Sequence, residues 1–216
     1  MNGKTISLHP GGIDLTVDAA GKAGLRPGDT LLDIGCGTGA SLAVLRERFG
    51  IIPSGIDISL SVLGIAAEAW PDINFLQGDA HDLPFEDNSF DHVMMECVLT
   101  LFGDPAAAAA EAVRVLRPGG TLILSTLAST EKGTDDCPVS IASFIDTDRL
   151  GLELLSAEDR KHDLTDYVIE AIMEYGSLEE RIAHETGITG ASVFDCGCSP
   201  DPRQTTYSSL VFRKSR

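Results

Sequence analysis

A glycine-rich turn between a strand pattern and a helix pattern constrains this chain more than any other stretch. The apolar run over residues 30–34 contains Asp33, and Gly35, Gly37 and Gly39 follow it at two-residue intervals. A helical pattern leaves the turn. Glycines let the backbone approach a ligand closely, and the start of a helix offers unpaired N–H groups. The segment therefore predicts a ligand-binding turn in an α/β protein.

The spacing of these glycines argues against two common phosphate-binding motifs. The dinucleotide fingerprint G-x-G-x-x-G places its third glycine three residues after the second. Here that interval is two residues, and no G-K-[ST] sequence follows to make a P-loop. An oxidoreductase that uses a nucleotide cofactor is therefore kept only as an alternative.

Strand and helix patterns alternate from this turn to Leu127. Buried-looking strands separated by helices are typical of a parallel sheet with helices on both faces. The predicted strands cover residues 30–34, 54–58, 73–79, 90–97 and 121–127.

The pattern changes after Leu127. Residues 128–140 are polar, residues 141–187 are predicted to be helical, and two strands at 191–196 and 207–213 are predicted to form a β-ribbon. The expected fold class is α/β: a Rossmann-like, seven-stranded, mostly parallel sheet with a helical insertion before a C-terminal β-ribbon. We predict a single domain over residues 1–216.

The charge balance restricts the partners of the chain. Acidic residues number 33 against 16 basic ones, which gives a net charge of −17. Phosphate backbones and anionic membrane surfaces would be repelled, so neither a nucleic acid nor a membrane is an expected partner. No apolar run approaches about 18 residues and no signal-peptide pattern is present. We expect a cytoplasmic protein, monomeric or homodimeric.

Acidic residues end three of the predicted strands. Asp57 ends the second strand, Asp79 the third and Glu96 the fourth. In an open α/β sheet, ligands bind outside the carboxyl ends of the strands. An acid in the position of Asp57 can accept hydrogen bonds from both hydroxyls of a ribose. The pattern therefore predicts a nucleoside-containing ligand at this edge.

Five segments, in order and at consistent spacing, resemble class I S-adenosylmethionine (SAM)-dependent methyltransferases of the UbiE-like, methyltransferase type 11 kind. The resemblance covers about residues 25–127. Its segments are Leu-Asp-Ile-Gly-Cys-Gly-Thr-Gly (32–39), Gly-Ile-Asp-Ile-Ser (55–59), Gly-Asp-Ala-His-Asp-Leu-Pro-Phe (78–85), Ser-Phe-Asp-His-Val (89–93) and Leu-Arg-Pro-Gly-Gly-Thr-Leu (116–122).

The resemblance implies transfer of a methyl group from SAM to a small-molecule acceptor by in-line displacement, with S-adenosylhomocysteine (SAH) as product. It implies that the glycine turn holds the methionine moiety, Asp57 the ribose, Asp79 and Ala80 the adenine, and Glu96 the region of the methyl group. The implied cofactor residues are Asp33, Gly35, Cys36, Gly37, Asp57, Ile58, Asp79, Ala80 and Glu96.

Two further roles are expected for other parts of the chain. The usual architecture of the family implies that residues 9–12 and Thr16 cover the cofactor from the N-terminal side. About residues 25–127 would form the cofactor-binding core, and about residues 128–187 the lid and acceptor-specificity region. Loops and insertions on a rigid scaffold commonly carry specificity.

The sequence does not select a catalytic base. Glu96, Cys97 and His81 are the candidates, and a base is needed only if the acceptor must lose a proton early. No metal site is predicted.

The cysteines support one alternative function. Five cysteines, an odd number, indicate free thiols rather than a disulfide framework. Because thiolates bind soft metalloids, a thiol-assisted methyltransferase of the arsenite type is an alternative. A SAM-binding protein without transfer activity is another. The thiols in question are Cys97, Cys137, Cys196 and Cys198.

Overall fold

Seven strands and seven α-helices are present in the computed structural model, which describes residues 9–129, 145–186 and 205–216. The strands are β1 (Thr30–Ile34), β2 (Ile52–Asp57), β3 (Asn74–Gln77), β4 (Phe90–Glu96), β5 (Leu116–Ser129), β6 (Leu152–Asp159) and β7 (Thr205–Lys214). The helices are α1 (Gly12–Ala23), α2 (Ala40–Phe49), α3 (Leu60–Ala69), α4 (Pro105–Val115), α5 (Thr147–Leu150), α6 (Lys161–Tyr175) and α7 (Leu178–Thr186). A short 3-10 helix covers Leu99–Leu101.

The strands form one sheet in the order β3-β2-β1-β4-β5-β7-β6. Strands β1 to β5 run parallel, and β7 pairs antiparallel with both β5 and β6. The strand order reverses between β1 and β4, because the chain first extends the sheet toward β3 and then returns to the other side of β1. A ligand in a doubly wound sheet binds at such a reversal point, beside the carboxyl ends of the strands. The predicted fold class is confirmed.

Local sequence accounts for two of the helix starts. Asp104 accepts a hydrogen bond from Ala107 N at 3.0 Å, and Pro105 takes the first helical position of α4. Ser59 caps α3 by accepting a bond from Val62 N at 3.4 Å. Both helices therefore begin at a residue type that favours a helix N-terminus.

The two faces of the sheet bury separate apolar clusters. In β4, Val93 and Met95 point into the cluster beneath α4, whereas Met94 points into the cluster beneath α1 and α2. Side chains alternate along a strand, so Glu96 shares the face of Met94. The core packing of β4 thereby directs the Glu96 carboxylate under α1.

One part of the predicted topology is wrong. The sequence predicts helical structure over residues 141–187, but residues 152–159 form β6 and pair antiparallel with β7. Leucine, alanine and glutamate, which make up most of this run, favour helices. An edge strand needs only one pairing partner, however, and pairing with β7 overrides the local preference. Helices α6 and α7 consequently follow β6 and precede β7 along the chain.

Several expectations fall on the rest of the chain. The predicted strand at 191–196 and Cys137, Cys196 and Cys198 lie outside the described residues. Within the described ranges, no helix has the length and apolarity needed to cross a membrane.

Two glycines offer a matched test of packing beside the site. A Cβ added at Gly55 in β2 would lie 2.6 Å from Cys36 Sγ and 2.8 Å from Phe75 Cδ1, whereas a Cβ at Gly64 in α3 meets nothing within 4 Å. We expect Gly55→Ala to lower the free energy of unfolding by about 1–3 kcal/mol through overpacking. Gly64→Ala should raise it by about 0.5–1 kcal/mol. Urea unfolding followed by circular dichroism measures both, and a similar change in the two variants would contradict the packing described for β2.

Candidate active site

The glycine turn after β1 adopts backbone conformations that favour glycine. Gly35, Gly37 and Gly39 have φ values of 76°, 52° and 73°, all in the left-handed region. A Cβ at Gly35 would lie 2.7 Å from Val98 Cγ1, and one at Gly39 would lie 2.5 Å from Phe75 Cζ. At Gly37 nothing lies within 4 Å. The turn is therefore packed at both ends and open in the middle.

Asp57 lies directly against this turn. One carboxylate oxygen accepts a hydrogen bond from Gly37 N at 3.0 Å, and the other accepts one from Ser59 N at 2.9 Å. The end of β2 is further tied to the turn because Ile56 O accepts bonds from Gly35 N and Cys36 N. The carboxylate is thus held in place by backbone groups, while each oxygen keeps a lone pair for another donor.

Asp79 lies in the loop after β3, the strand next to β2. Its Oδ1 accepts hydrogen bonds from His81 N at 2.9 Å and His81 Nδ1 at 2.6 Å. These backbone and side-chain bonds lower the pKa of Asp79. His81 Nε2 accepts a bond from Asp104 N at 3.2 Å, so both of its nitrogens are engaged. His81 therefore links the Asp79 loop to the start of α4.

Glu96 is the centre of a buried polar group that joins three elements. Its carboxylate accepts hydrogen bonds from Thr16 Oγ1 of α1 at 2.8 Å and from Ser41 Oγ of α2 at 2.8 Å. His9 Nε2 lies 3.3 Å from Oε2. We call Glu96, His9, Thr16 and Ser41 the Glu96 cluster. This cluster links α1 and the residues before it to α2, the helix that follows the glycine turn, and to the end of β4.

The Glu96 cluster contains an ion pair. His9 Nδ1 lies 3.0 Å from Pro10 O, which can only accept, so Nδ1 carries a proton while Nε2 faces the carboxylate. Burial works against both charges. The attraction between them outweighs this cost, so that the pKa of His9 is raised and that of Glu96 is lowered.

Asp33 is a buried acid of a different kind. It is 3% exposed, and none of the described residues donates a hydrogen bond to its side chain. Burial, reinforced by the charge of Glu96, raises its pKa well above the ordinary value. Such a carboxylate is costly to bury without a cation nearby. Its position points to a positively charged ligand beside the turn.

The two described cysteines have different surroundings. Cys36 is buried within the turn, and burial raises the pKa of its thiol, so it stays protonated. Cys97 follows β4 with φ of 59°, a strained conformation for a residue with a side chain. In the ranges that the structure describes, no three or more His, Cys, Asp or Glu side chains are grouped to hold a metal ion.

The predicted residues occupy two places along one sheet edge. Asp33, Cys36, Asp57 and Glu96 meet around the glycine turn, whereas Asp79, Ala80 and the catalytic candidate His81 lie in the loop after β3. Ile58 lies beyond Asp57 with its side chain 71% exposed. Ser41 was missed by sequence reasoning, since only the tertiary structure shows that the first turn of α2 faces Glu96.

Comparisons with known proteins agree with this geometry. Residues 32–124 match the methyltransferase domain family. A demethylmenaquinone methyltransferase from Renibacterium salmoninarum is 40% identical over 111 residues, which are 51% of this chain and 45% of that protein. The chain spans about half or less of the length of the curated relatives that it matches.

Solved structures share the fold over almost the whole chain. The [4+2]-cyclase SpnF has a TM-score of 0.74 and 26% identity, with 94% of this chain and 80% of that chain covered. A geranyl diphosphate methyltransferase in complex with SAM has a TM-score of 0.72 and 19% identity, with coverage of 94% and 85%. The fold is therefore shared with proteins of more than one reaction type.

The His9–Glu96 pair predicts a defined pH dependence of stability. The pKa of Glu96 is lowered from 4.5 and that of His9 is raised from 6.5. The pair therefore stabilises the folded protein fully between pH 4.5 and pH 6.5. This stabilisation declines as the pH rises through the raised pKa of His9, or falls through the lowered pKa of Glu96. We expect His9→Gln to lower the free energy of unfolding by about 3 kcal/mol at pH 5.5, and by less at pH 9.

Urea unfolding of wild type and His9→Gln over this pH range measures the difference. His162→Gln is the matched control, because the His162 side chain is 86% exposed. A difference that stays constant with pH would show that His9 carries no charge in the folded protein.

Proposed function

We propose that the chain, whose residues 32–124 match the methyltransferase domain family, transfers the methyl group of SAM to a small-molecule acceptor by in-line displacement. SAH is the product. When bound, SAM supplies an electrophilic methyl group on a sulfonium, and the protein supplies binding, orientation and exclusion of water.

The set of acidic side chains around the glycine turn is the observation that carries this proposal. Asp33, Asp57 and Glu96 surround the turn. Within the described part of the chain, the basic side chain that faces Glu96 is His9. SAM brings a sulfonium and an ammonium group, which such a site attracts. A dinucleotide brings a diphosphate, which it repels. The same charges disfavour the alternative of an oxidoreductase with a nicotinamide cofactor.

Each part of the cofactor has matching residues. The open side of Gly37 and the buried carboxylate of Asp33 fit the methionine moiety. Asp57 keeps lone pairs for the ribose hydroxyls, and the exposed Ile58 offers an apolar contact for the adenine ring. Asp79, beside Ala80 and oriented by His81, can accept a bond from the adenine amino group.

The candidate catalytic residues Glu96, His81 and Cys97 lie in different surroundings. Glu96 is enclosed by Thr16, Ser41 and His9, so we assign it the positioning of α1 over the cofactor. His81 is engaged by Asp79 and Asp104 on the adenine side, which makes it a positioning residue there. Cys97 directly follows β4, and we assign it a place beside the transferred methyl group.

The acceptor and the setting of the reaction belong to the same proposal. We assign residues 25–127 to cofactor binding and residues 128–187 to the acceptor side of a single domain. The acidic surface favours a small-molecule acceptor over nucleic acid or an anionic membrane, in a cytoplasmic protein that is a monomer or a homodimer. The thiol-assisted alternative has no support from the described cysteines. Formation of SAH from SAM in the presence of an acceptor distinguishes a methyltransferase from a protein that only binds SAM.

Calorimetric titration of the intact protein tests cofactor binding directly. SAM and SAH should bind, and NAD should not. Asp57→Ala should weaken SAM binding about 10- to 100-fold, because charge-assisted hydrogen bonds contribute about 1.5–3 kcal/mol. Asp72→Ala is the matched control, since the Asp72 side chain is 79% exposed and pairs only with Arg46 of α2, at 3.5 Å, among the described residues. Failure of wild type to bind either SAM or SAH would refute the proposed function.

Asp33 predicts a conflict between stability and binding. The pKa of Asp33 is raised in the folded protein, whereas the unfolded chain ionises this carboxyl above its ordinary pKa of 3.8. The free energy of unfolding therefore falls as the pH rises above that value. We expect Asp33→Asn to raise the free energy of unfolding at pH 7 by about 1 kcal/mol or more and to lower the affinity for SAM about tenfold or more. Denaturation and calorimetry on the same samples measure both, and a less stable variant would contradict the role given to this charge.

A further inference from the structure

Trp70, the single tryptophan of the chain, is hydrogen-bonded to the glycine turn. Its indole Nε1–H donates to the backbone carbonyl of Thr38 at 3.2 Å. Thr38 lies between Gly37 and Gly39, 32 positions before Trp70 in the chain. The contact therefore joins the end of α3 to the turn that is proposed to hold the methionine moiety.

Local sequence explains why the indole ring leaves the helix and reaches the turn. Pro71 follows Trp70 directly, and a proline disfavours the helical conformation in the residue before it. Trp70 accordingly ends α3 with φ of −132° and ψ of 67°. Its amide donates to Ala66 O at 2.8 Å, and its carbonyl accepts a bond from Ile73 N at 3.0 Å. The backbone that carries the indole ring is thus fixed on both sides.

The indole ring is also packed against the turn. A Cβ added at Gly39 would lie 2.5 Å from Phe75 Cζ and 3.3 Å from Trp70 Cδ1. Both aromatic side chains are partly buried against the apolar cluster beneath α1 and α2, which includes Cys36 of the turn. This packing keeps the indole nitrogen at the Thr38 carbonyl.

The carbonyl that Trp70 holds belongs to a peptide group that closes the turn. The peptide between Thr38 and Gly39 presents its oxygen to the indole, and its N–H donates to Cys36 O at 2.9 Å. Because a peptide group is planar, a bond that fixes its oxygen also fixes its N–H. Loss of the indole donor would free this peptide to rotate.

Thr38 also carries the amide that the turn leaves free. Four of the five amides of residues 35–39 donate to carbonyl or carboxylate oxygens of the chain. The fifth, Thr38 N, donates to none of the described residues. It lies next to Gly37, where nothing lies within 4 Å of an added Cβ. The turn therefore offers a ligand one free N–H group at its open position.

Resting on the proposed methyl transfer, we propose that Trp70 is a positioning residue for SAM. Its indole N–H holds the Thr38 carbonyl and thereby keeps the free Thr38 amide in place to donate to the methionine moiety of the cofactor. A donor that is already ordered binds a ligand more tightly, because it loses less conformational freedom on binding.

The single tryptophan allows one functional group to be changed without altering another residue. A tryptophan-auxotrophic expression host supplied with β-(3-benzothienyl)alanine replaces Trp70 alone. The analogue carries sulfur in place of the indole N–H, so it keeps the ring and its packing but loses the donor. The protein made with 5-fluorotryptophan is the matched control, because it keeps the N–H group.

Calorimetric titration of these intact proteins with SAM and SAH measures the effect. The benzothienyl protein should bind both about 3- to 10-fold more weakly than wild type, the amount expected for one hydrogen bond. The fluorotryptophan protein should bind them within about twofold of wild type. Its fluorine NMR signal should shift when SAH binds, since the ring is bonded to the turn that receives the ligand.

Thr30→Val distinguishes positioning from a general loss of stability. Thr30 Oγ1 donates to Asp91 Oδ2 at 2.8 Å, at the start of β1 and therefore at the end of the strand opposite the turn. Hydrogen bonds to charged groups contribute more than neutral ones, so this variant should lower the free energy of unfolding at least as much as the benzothienyl replacement. Its SAM affinity should stay within about twofold of wild type. Urea unfolding of both proteins measures the stability.

The outcomes separate this inference from the proposed function. If wild type binds neither SAM nor SAH, the proposed function fails and this inference fails with it. The proposed function stands but the positioning role of Trp70 is refuted in three cases. These are equal SAM affinity in wild type and the benzothienyl protein, weakened binding in the fluorotryptophan protein, and an equal loss of affinity in Thr30→Val.

Discussion

The buried carboxylate of Glu96 is the interaction on which the arrangement of the site depends. It receives hydrogen bonds from α1 and α2 and faces the imidazole of His9, so elements distant in sequence meet at one side chain. A buried charge of this kind is tolerated only when every partner is in place. The cluster therefore couples the position of α1, which covers the site, to the position of the glycine turn.

The same region concentrates negative charge in a way that suits a cationic cofactor. Glu96 is balanced by His9, whereas Asp33 has no such partner among the described residues. The folded protein thus disfavours ionisation of Asp33 where a sulfonium and an ammonium group can compensate the negative charge. This arrangement links the cost of folding to the affinity for the ligand.

Strand ends and turn chemistry made much of the molecule predictable. The glycine spacing, the acids at Asp57, Asp79 and Glu96, and the caps at Ser59 and Asp104 all act locally or through the regular geometry of a parallel sheet. The sixth strand was not predictable. Residues 152–159 form an edge strand whose alternation is weak, and only pairing with β7 decides its conformation.

The sequence by itself determined the α/β class, the glycine turn and the set of acids along one edge, because periodicity and turn geometry depend on neighbouring residues. Only the tertiary structure decided which partners those acids receive. Ser41 donates a hydrogen bond to Glu96, and Asp33 stays without a donor from the described residues. These outcomes depend on how helices pack across the sheet, and contacts between residues far apart in the chain leave no periodic trace in the sequence.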